Sequence, residues 1–284
     1  MKTLSKVKIA KPFVKWVGGK GRLISELAKY YPEEYNEYYE PFVGGGAVFY
    51  SLTPKIAHIN DLNSVLISLY SLIKNDVTNV ISTLRELENE YHSLATIEDK
   101  KELYLQKRNE FNNLSNDSFQ KAVLLIFLNK TCFNGMYREN SKGGFNVPFG
   151  KHEKPTICDE LNLLAVSDAL QHVTITYSSY EAITSRAKSG DFIYFDPPYH
   201  PLNTTSSFTA YQAGGFNADD QRKLRDEFMR LSDLGCKVML SNSDAPLINE
   251  LYKDFNIHKI YAARAINSKG DSRGKILEVL VTNY

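Results

Sequence analysis

YYEPFVGGGAVFYSL, residues 38–52, runs from an aromatic strand into three consecutive glycines and out into an apolar helix. KIAHIND, residues 55–61, then reads as a second strand ending on Asn60 and Asp61. Strand-length apolar runs on either side of a helical one describe a βαβ unit, the opening of a parallel sheet. The alternation returns late in the chain with strand HVTITYSS (172–179), helix YEAITSRAKS (180–189), strand DFIYFD (191–196), helix ADDQRKLRDEFMRLSDLG (218–235) and strand CKVMLSNS (236–243). A helix at about 245–254 follows. NIHKIYAAR (256–264) and KILEVLVTNY (275–284) then read as two strands joined by a polar loop. The pattern implies an α/β fold whose mostly parallel sheet is covered on both faces and carries an antiparallel pair at one edge.

Between these halves the pattern is helical. SVLISLYSLIKN repeats apolar residues at spacings of three and four, and SFQKAVLLIFLNKTCF forms a further apolar helix. NGMYRENSKGGFNVPFG (134–150) is dense in turn formers, and its Gly143-Gly144 pair predicts a hairpin leading into FNVPFG. The helical middle therefore reads as an insertion, 69–158, dividing a catalytic domain into 1–68 and 159–284.

A chain of 284 residues with 43% hydrophobic content, 18 Tyr and 15 Phe has ample material for a large interior. No stretch approaches the roughly 20 apolar residues needed to span a bilayer. A start lacking a secretory apolar core adds to that, and a cytoplasmic protein is expected. Three cysteines without CxxC spacing argue against a disulfide framework or a structural zinc site, and six scattered histidines form no metal-ligand pattern. The net charge of +1 conceals basic clusters in residues 1–30, 130–155 and 259–275, suited to a phosphate backbone.

The glycine turn lets backbone approach a ligand closely, and Asp61 ends the next strand, where a carboxylate can accept bonds from both ribose hydroxyls. Without GxGxxG or a Walker lysine, this suits a nucleoside cofactor lacking a pyrophosphate. In an open parallel sheet, ligands sit beyond the carboxyl ends of the strands, which is where DPPY (196–199) falls. Pro197 fixes its own φ, restricts Asp196 and has no N–H. Two acceptors, the Asp196 carboxylate and the Pro197 carbonyl, thus face outward beside the Tyr199 ring. That set suits an exocyclic amine on a planar heterocycle: the N–H bonds are held, the ring stacks, and the lone pair is released to attack a methyl.

EPFVGGG followed by DPPY, with FVKWVGGKGRL before them and FNGMYREN…FNVPFG in the insertion, resembles the Dam-type (D12 class) adenine-N6 DNA methyltransferases, including the GATC-modifying enzymes of restriction systems. The resemblance implies a Rossmann-like catalytic domain of the class I methyltransferase fold, a helical DNA-recognition domain, and S-adenosylmethionine as donor. By position it assigns Trp16, Lys20, Phe42, Gly44, Gly46, Asp61 and Asp196 to the donor, and Asp196, Pro197 and Tyr199 to catalysis. Ser179 and Tyr180 match a base pocket more loosely. Lys15, Phe133, Asn134, Arg138 and Pro148 match positions that contact or wedge near GATC. Arg138 suits guanine O6 and N7, Pro148 a thymine methyl, and Phe133 the gap left by a flipped base. Family enzymes often carry Tyr at Phe133, so here stacking is kept without a hydroxyl.

HPLNTTSSFTAYQAGGF (200–216) fits a loop that closes over the flipped adenine, and Lys269, Arg273 and Lys275 fit phosphate contacts. Duplex DNA is the expected partner, with a cognate restriction endonuclease acting on the same site and association with the nucleoid when bound. Three alternatives stay open at this point. A cytosine-N4 methyltransferase applies the same logic to another amine, a nicotinamide oxidoreductase would use the glycine turn, and a DNA-binding protein would lack catalysis.

Overall fold

The computed structural model describes residues 10–202, 216–263 and 275–284. Most of the expected closing loop, 203–215, lies outside the described residues, as do Lys269 and Arg273 and the side chain of Lys275. The strands are β1 (Tyr38–Glu40), β2 (Ala57–Asn60), β3 (Val173–Thr176), β4 (Phe192–Phe195), β5 (Lys237–Ser243), β6 (Asn256–Ala263) and β7 (Lys275–Thr282). They form a seven-stranded sheet in the order β3-β2-β1-β4-β5-β7-β6. The helices are α1 (Ile24–Leu27), α2 (Ala47–Leu52), α3 (Ser64–Ser93), α4 (Ile97–Asn113), α5 (Phe119–Thr131), α6 (Glu160–Leu170), α7 (Tyr180–Thr184), α8 (Ala218–Asp233) and α9 (Pro246–Leu251). The expected α/β class holds, with parallel pairing of β1 to β2 and β4 and of β4 to β5, and antiparallel pairing of β7 to β5 and β6.

Contacts divide the chain into two compact units. One comprises the described residues of Met1–Gly19, Gly44–Thr53 and Asp61–Tyr177; the other comprises those of Lys20–Val43, Pro54–Asn60 and Ser178–Tyr284. In the second unit, Phe192, Ile193, Tyr194 and Phe195 of β4 are all fully buried, so the strand has no polar face and reads as a continuous apolar run. Leu224, Phe228 and Leu231, one stripe of α8, join Val238, Leu240 and Tyr252 in the core. A capping box fixes the start of α8: the Asn217 side chain accepts from the Asp220 backbone, and the Asp220 side chain accepts from Asn217 N–H.

In the first unit, α5 packs against both α3 and α4. It is apolar nearly all round, every residue from Ala122 to Leu128 being buried; a helix with no polar face belongs in an interior. Asn63, Thr96, Ser118 and Asp159 cap α3, α4, α5 and α6 by accepting backbone N–H bonds at their starts. The Gly143-Gly144 turn does close an antiparallel pairing, with Glu139 bridging Phe145 and Asn140 N–H donating to the Gly144 carbonyl at 2.8 Å. No helix among the described residues is long and apolar enough to cross a membrane.

The end of β2 is tied down by one buried amide. Asn60 Nδ2 donates to the carbonyls of Pro41 (3.1 Å) and Ser178 (2.9 Å), while its Oδ1 accepts from Ser178 N–H (3.0 Å) and Oγ (2.9 Å). Asn60→Ala strands those groups in the interior and is expected to lower the unfolding free energy by about 2–4 kcal/mol. The measurement is a reduced urea midpoint at unchanged slope; a wild-type midpoint would contradict this role.

Candidate active site

In the second unit, the fully buried β4 delivers Asp196 to its carboxyl end, where the side chain keeps 18% of its surface exposed. Opposite it the ammonium of Lys20, whose side chain is only 4% exposed, lies 2.7 Å from Oδ1. The same ammonium sits 4.7 Å from the centre of the Tyr199 ring, and the Tyr199 hydroxyl donates to Glu278 Oε2 at 2.9 Å. Burial pushes the Asp196 carboxyl above its ordinary 3.8, the Lys20 charge pulls it back, and Glu278 adds to the rise.

The turn after Asp196 is held by buried amides. Gln221 Nε2 donates to the Pro198 carbonyl (3.0 Å), and Asn242 Nδ2 donates in turn to Gln221 Oε1 (3.1 Å). Asn242 Oδ1 accepts from His200 N–H (3.1 Å), and Ser243 Oγ donates to the His200 carbonyl (2.6 Å). Gln221 and Asn242 are fully buried, so neither can exchange these partners for water. The pins fall on Pro198 and His200, on either side of Tyr199.

Phe42 and Tyr180, expected at different ligands, come together here. Their rings are 5.6 Å apart, and both pack against Phe195 at 6.3 Å and near Phe216. Ser179 is exposed at the residue preceding α7.

In the first unit, Gly44 and Gly46 adopt φ +47° and +71°, a region that disfavours side chains. The space beside them is taken by protein. A Cβ on Gly44 would lie 2.7 Å from the Trp16 indole, and one on Gly46 would lie 2.7 Å from the Tyr70 hydroxyl. Tyr70 also donates to the Gly44 carbonyl at 3.0 Å. Asp61 closes the turn: Oδ2 accepts from Gly44 N–H at 3.0 Å and Oδ1 from Asn63 N–H at 2.9 Å. Burial raises the Asp61 carboxyl, and these backbone bonds oppose the rise. Trp16 stacks on Tyr137, with centroids 4.8 Å apart and planes 18° off parallel.

The same unit gathers an exposed surface from three separate stretches. Asn129, at the end of the apolar helix α5, accepts from Lys15 N–H (2.8 Å) and donates to the carbonyls of Lys15 (2.9 Å) and Gly135 (2.8 Å). Phe133 N–H donates to the Pro148 carbonyl at 2.8 Å. Asn134 takes φ +57°, a conformation asparagine tolerates better than most residues. Arg138 donates from Nε to Asn146 Oδ1 (2.8 Å) and from Nη2 to the Asn146 carbonyl (3.2 Å). Lys15, Phe133, Asn134, Arg138 and Pro148 are all exposed, Phe133 by 50%, so Phe133 is not a helix-end packing residue.

Of the residues singled out from sequence, the structure thus groups Lys20 with Asp196 and Tyr199, Trp16 with Gly44, Gly46 with Tyr70, and Lys15 with the turn around Phe133. Sequence reading missed Glu278, Tyr70, Tyr137, Asn129, Gln221 and Asn242. Two left a signal: Glu278 interrupts the apolar strand ILEVLV, and Asn129 ends the apolar run LLIFL.

A model of the D12 class N6 adenine-specific DNA methyltransferases matches residues 16–266. The chain is 44% identical to the type II methyltransferase M1.LlaDCHI of Lactococcus lactis subsp. cremoris, over 100% of this chain and 99% of the relative. It is 45% identical to the type II methyltransferase M.MjaIII of Methanocaldococcus jannaschii, over 96% and 99%. It is 36% identical to a DNA adenine methylase of Escherichia coli, over 94% and 93%.

Trp16 is the single tryptophan, so its emission reports on the glycine turn. Gly44→Ala forces a side chain into the left-handed region against the indole and is expected to cost about 1–3 kcal/mol. Tryptophan emission in the folded variant should shift from that of the wild type; identical spectra and equal stability would show that the contact carries no weight.

Proposed function

The chain belongs to the D12 class N6 adenine-specific DNA methyltransferase family, and on that premise we propose that it moves a methyl group from S-adenosylmethionine to N6 of an adenine flipped out of duplex DNA, within GATC. The observation that carries this reading is the Asp196–Tyr199 constellation at the end of β4, with Lys20 against its carboxylate.

When bound, S-adenosylmethionine supplies an electrophilic methyl carbon on a sulfonium sulfur. Trp16, Lys20, Phe42, Gly44, Gly46, Asp61 and Asp196 would hold it. The donor set suits the group: Asp61 accepts backbone bonds from Gly44, Asn63 and Leu62, and a carboxylate with about four acceptor sites keeps one for a ribose hydroxyl. At the acceptor end, the Asp196 carboxylate and the Pro197 carbonyl take the two N–H bonds of the amine while the ring lies against Tyr199. Holding both protons favours the pyramidal nitrogen whose lone pair can attack. Asp196 then receives the proton.

Flipping the adenine costs a few kcal/mol. Against that cost, the exposed Phe133 fills the vacated stack, Arg138 takes guanine O6 and N7, Pro148 meets a thymine methyl, and Lys15 and Asn134 add contacts. Ser179 and Tyr180 line the base pocket. The segment 69–158 serves as the recognition domain. Two relatives carry type II names, in keeping with a cognate endonuclease acting on the same sequence. The protein works in the cytoplasm, on the nucleoid.

Incubation with labelled donor and duplexes with or without GATC, followed by digestion to nucleosides, should yield N6-methyladenine from the GATC duplex alone. Label in cytosine, or equal label in both duplexes, would overturn the reading. Asp196→Asn should lower the single-turnover rate by about 10²–10⁴-fold with duplex binding retained.

The pH dependence has a definite sign. Asp196 works ionised and its carboxyl sits above 3.8, so activity falls as pH drops through that raised value. Lys20 opposes the rise, so Lys20→Met, assayed at saturating donor, should move the acid limb of the rate profile to higher pH. An acid limb that stays in place or moves down would contradict the pairing.

A further inference from the structure

The Asp196 site holds a charged residue that its proposed chemistry does not use. Glu278 lies in β7 opposite Ser243, the last residue of β5. The antiparallel register thus brings a carboxylate from the final strand to the carboxyl end of the parallel ones. The three residues that follow it, Val279, Leu280 and Val281, are buried, and its Oε2 accepts the Tyr199 hydroxyl at 2.9 Å.

Two consequences follow from that bond. The hydroxyl is anchored at Glu278 while the ring face meets the Lys20 ammonium at 4.7 Å, so Tyr199 is held at both its tip and its face. Charge matters as well. Lys20, 2.7 Å from Asp196, offsets that one carboxylate. With Glu278, the described residues of the group hold two carboxylates to one ammonium where a proton must be received.

We propose that Glu278 is a positioning residue of methyl transfer, holding the Tyr199 ring through its hydroxyl and supplying the negative charge against which Asp196 takes the departing proton. The inference rests on the reading of Asp196 given above. In the step concerned, the N6 lone pair forms the new bond to the methyl carbon while the carbon–sulfur bond of the donor breaks, its electron pair leaving with sulfur as a neutral thioether. One N6–H bond breaks, its electron pair stays on nitrogen, and its proton passes to Asp196. Among the described residues, the titratable groups facing Asp196 are Lys20, Glu278, Tyr199 and Tyr194. Lys20 favours the ionised carboxylate and Glu278 disfavours it, so removing either charge moves the acid limb in opposite directions.

The test is single-turnover methylation across pH, at saturating donor and DNA, for the wild type, Glu278→Gln and Glu278→Asp. Glu278→Gln keeps an oxygen for the Tyr199 hydroxyl and removes the charge. It is expected to slow transfer about tenfold, to shift the acid limb to lower pH, and to leave duplex affinity unchanged. Glu278→Asp, which restores the charge, should return the limb to its wild-type position. A wild-type rate and limb in Glu278→Gln, with Asp196→Asn inactive, would overturn this inference alone; activity retained by Asp196→Asn would overturn the reading beneath it. Should Glu278→Gln fold poorly, the limb in Glu278→Asp decides, and a limb displaced downward there would refute the charge role.

Discussion

A carboxylate carried to the tip of a strand buried on both faces loses most of its water, and it stays charged only if something compensates. Asp196 is in that position, and the compensation is the Lys20 ammonium at 2.7 Å. Much of the second unit can be understood as holding that arrangement. The apolar residues of β4 fix the strand, the amides of Gln221 and Asn242 fix the turn beyond it, and Glu278 fixes the ring of Tyr199. Removing one partner of such a pair leaves an uncompensated charge, which costs more than the pair itself contributes.

The first unit solves a different problem. Its glycine turn is a set of tight internal fits: Trp16 against Gly44, Tyr70 against Gly46, and Asp61 against the backbone of the turn. A triple glycine is commonly read as space left for a ligand. Here the missing side chains also make room for an indole and a phenol of the protein, so packing alone requires glycine at both positions. A nucleoside at this turn would meet a surface already set by those rings.

How much was legible in the sequence depends on whether the signal was local. The order of strands and helices could be read because a strand covered on both faces must be apolar throughout, as Phe192–Phe195 is, and because α8 repeats its buried residues at helical spacing. Asp196 stood out because two prolines follow it. The Gly143-Gly144 turn announced its hairpin for a similar reason. Partners distant in sequence left no such trace. Lys20 and Asp196 read together only through the resemblance, which assigns both to the donor, and nothing local to either shows that their charges pair directly. Phe42 and Tyr180 read as belonging to separate ligands, yet they share one aromatic cluster. Glu278 and Asn129 are single polar residues in apolar stretches, and only tertiary contact tells what each one holds.

Asn129 sits where an apolar helix gives way to solvent-facing chain, and three bonds from one amide fasten both Lys15 and the Gly135 turn. The framework beneath the exposed surface is therefore separate from the tips that project from it. Exchanging the side chain of Phe133 or Pro148 alters what is presented and leaves those three bonds in place, whereas a change at Asn129 releases two arms at once.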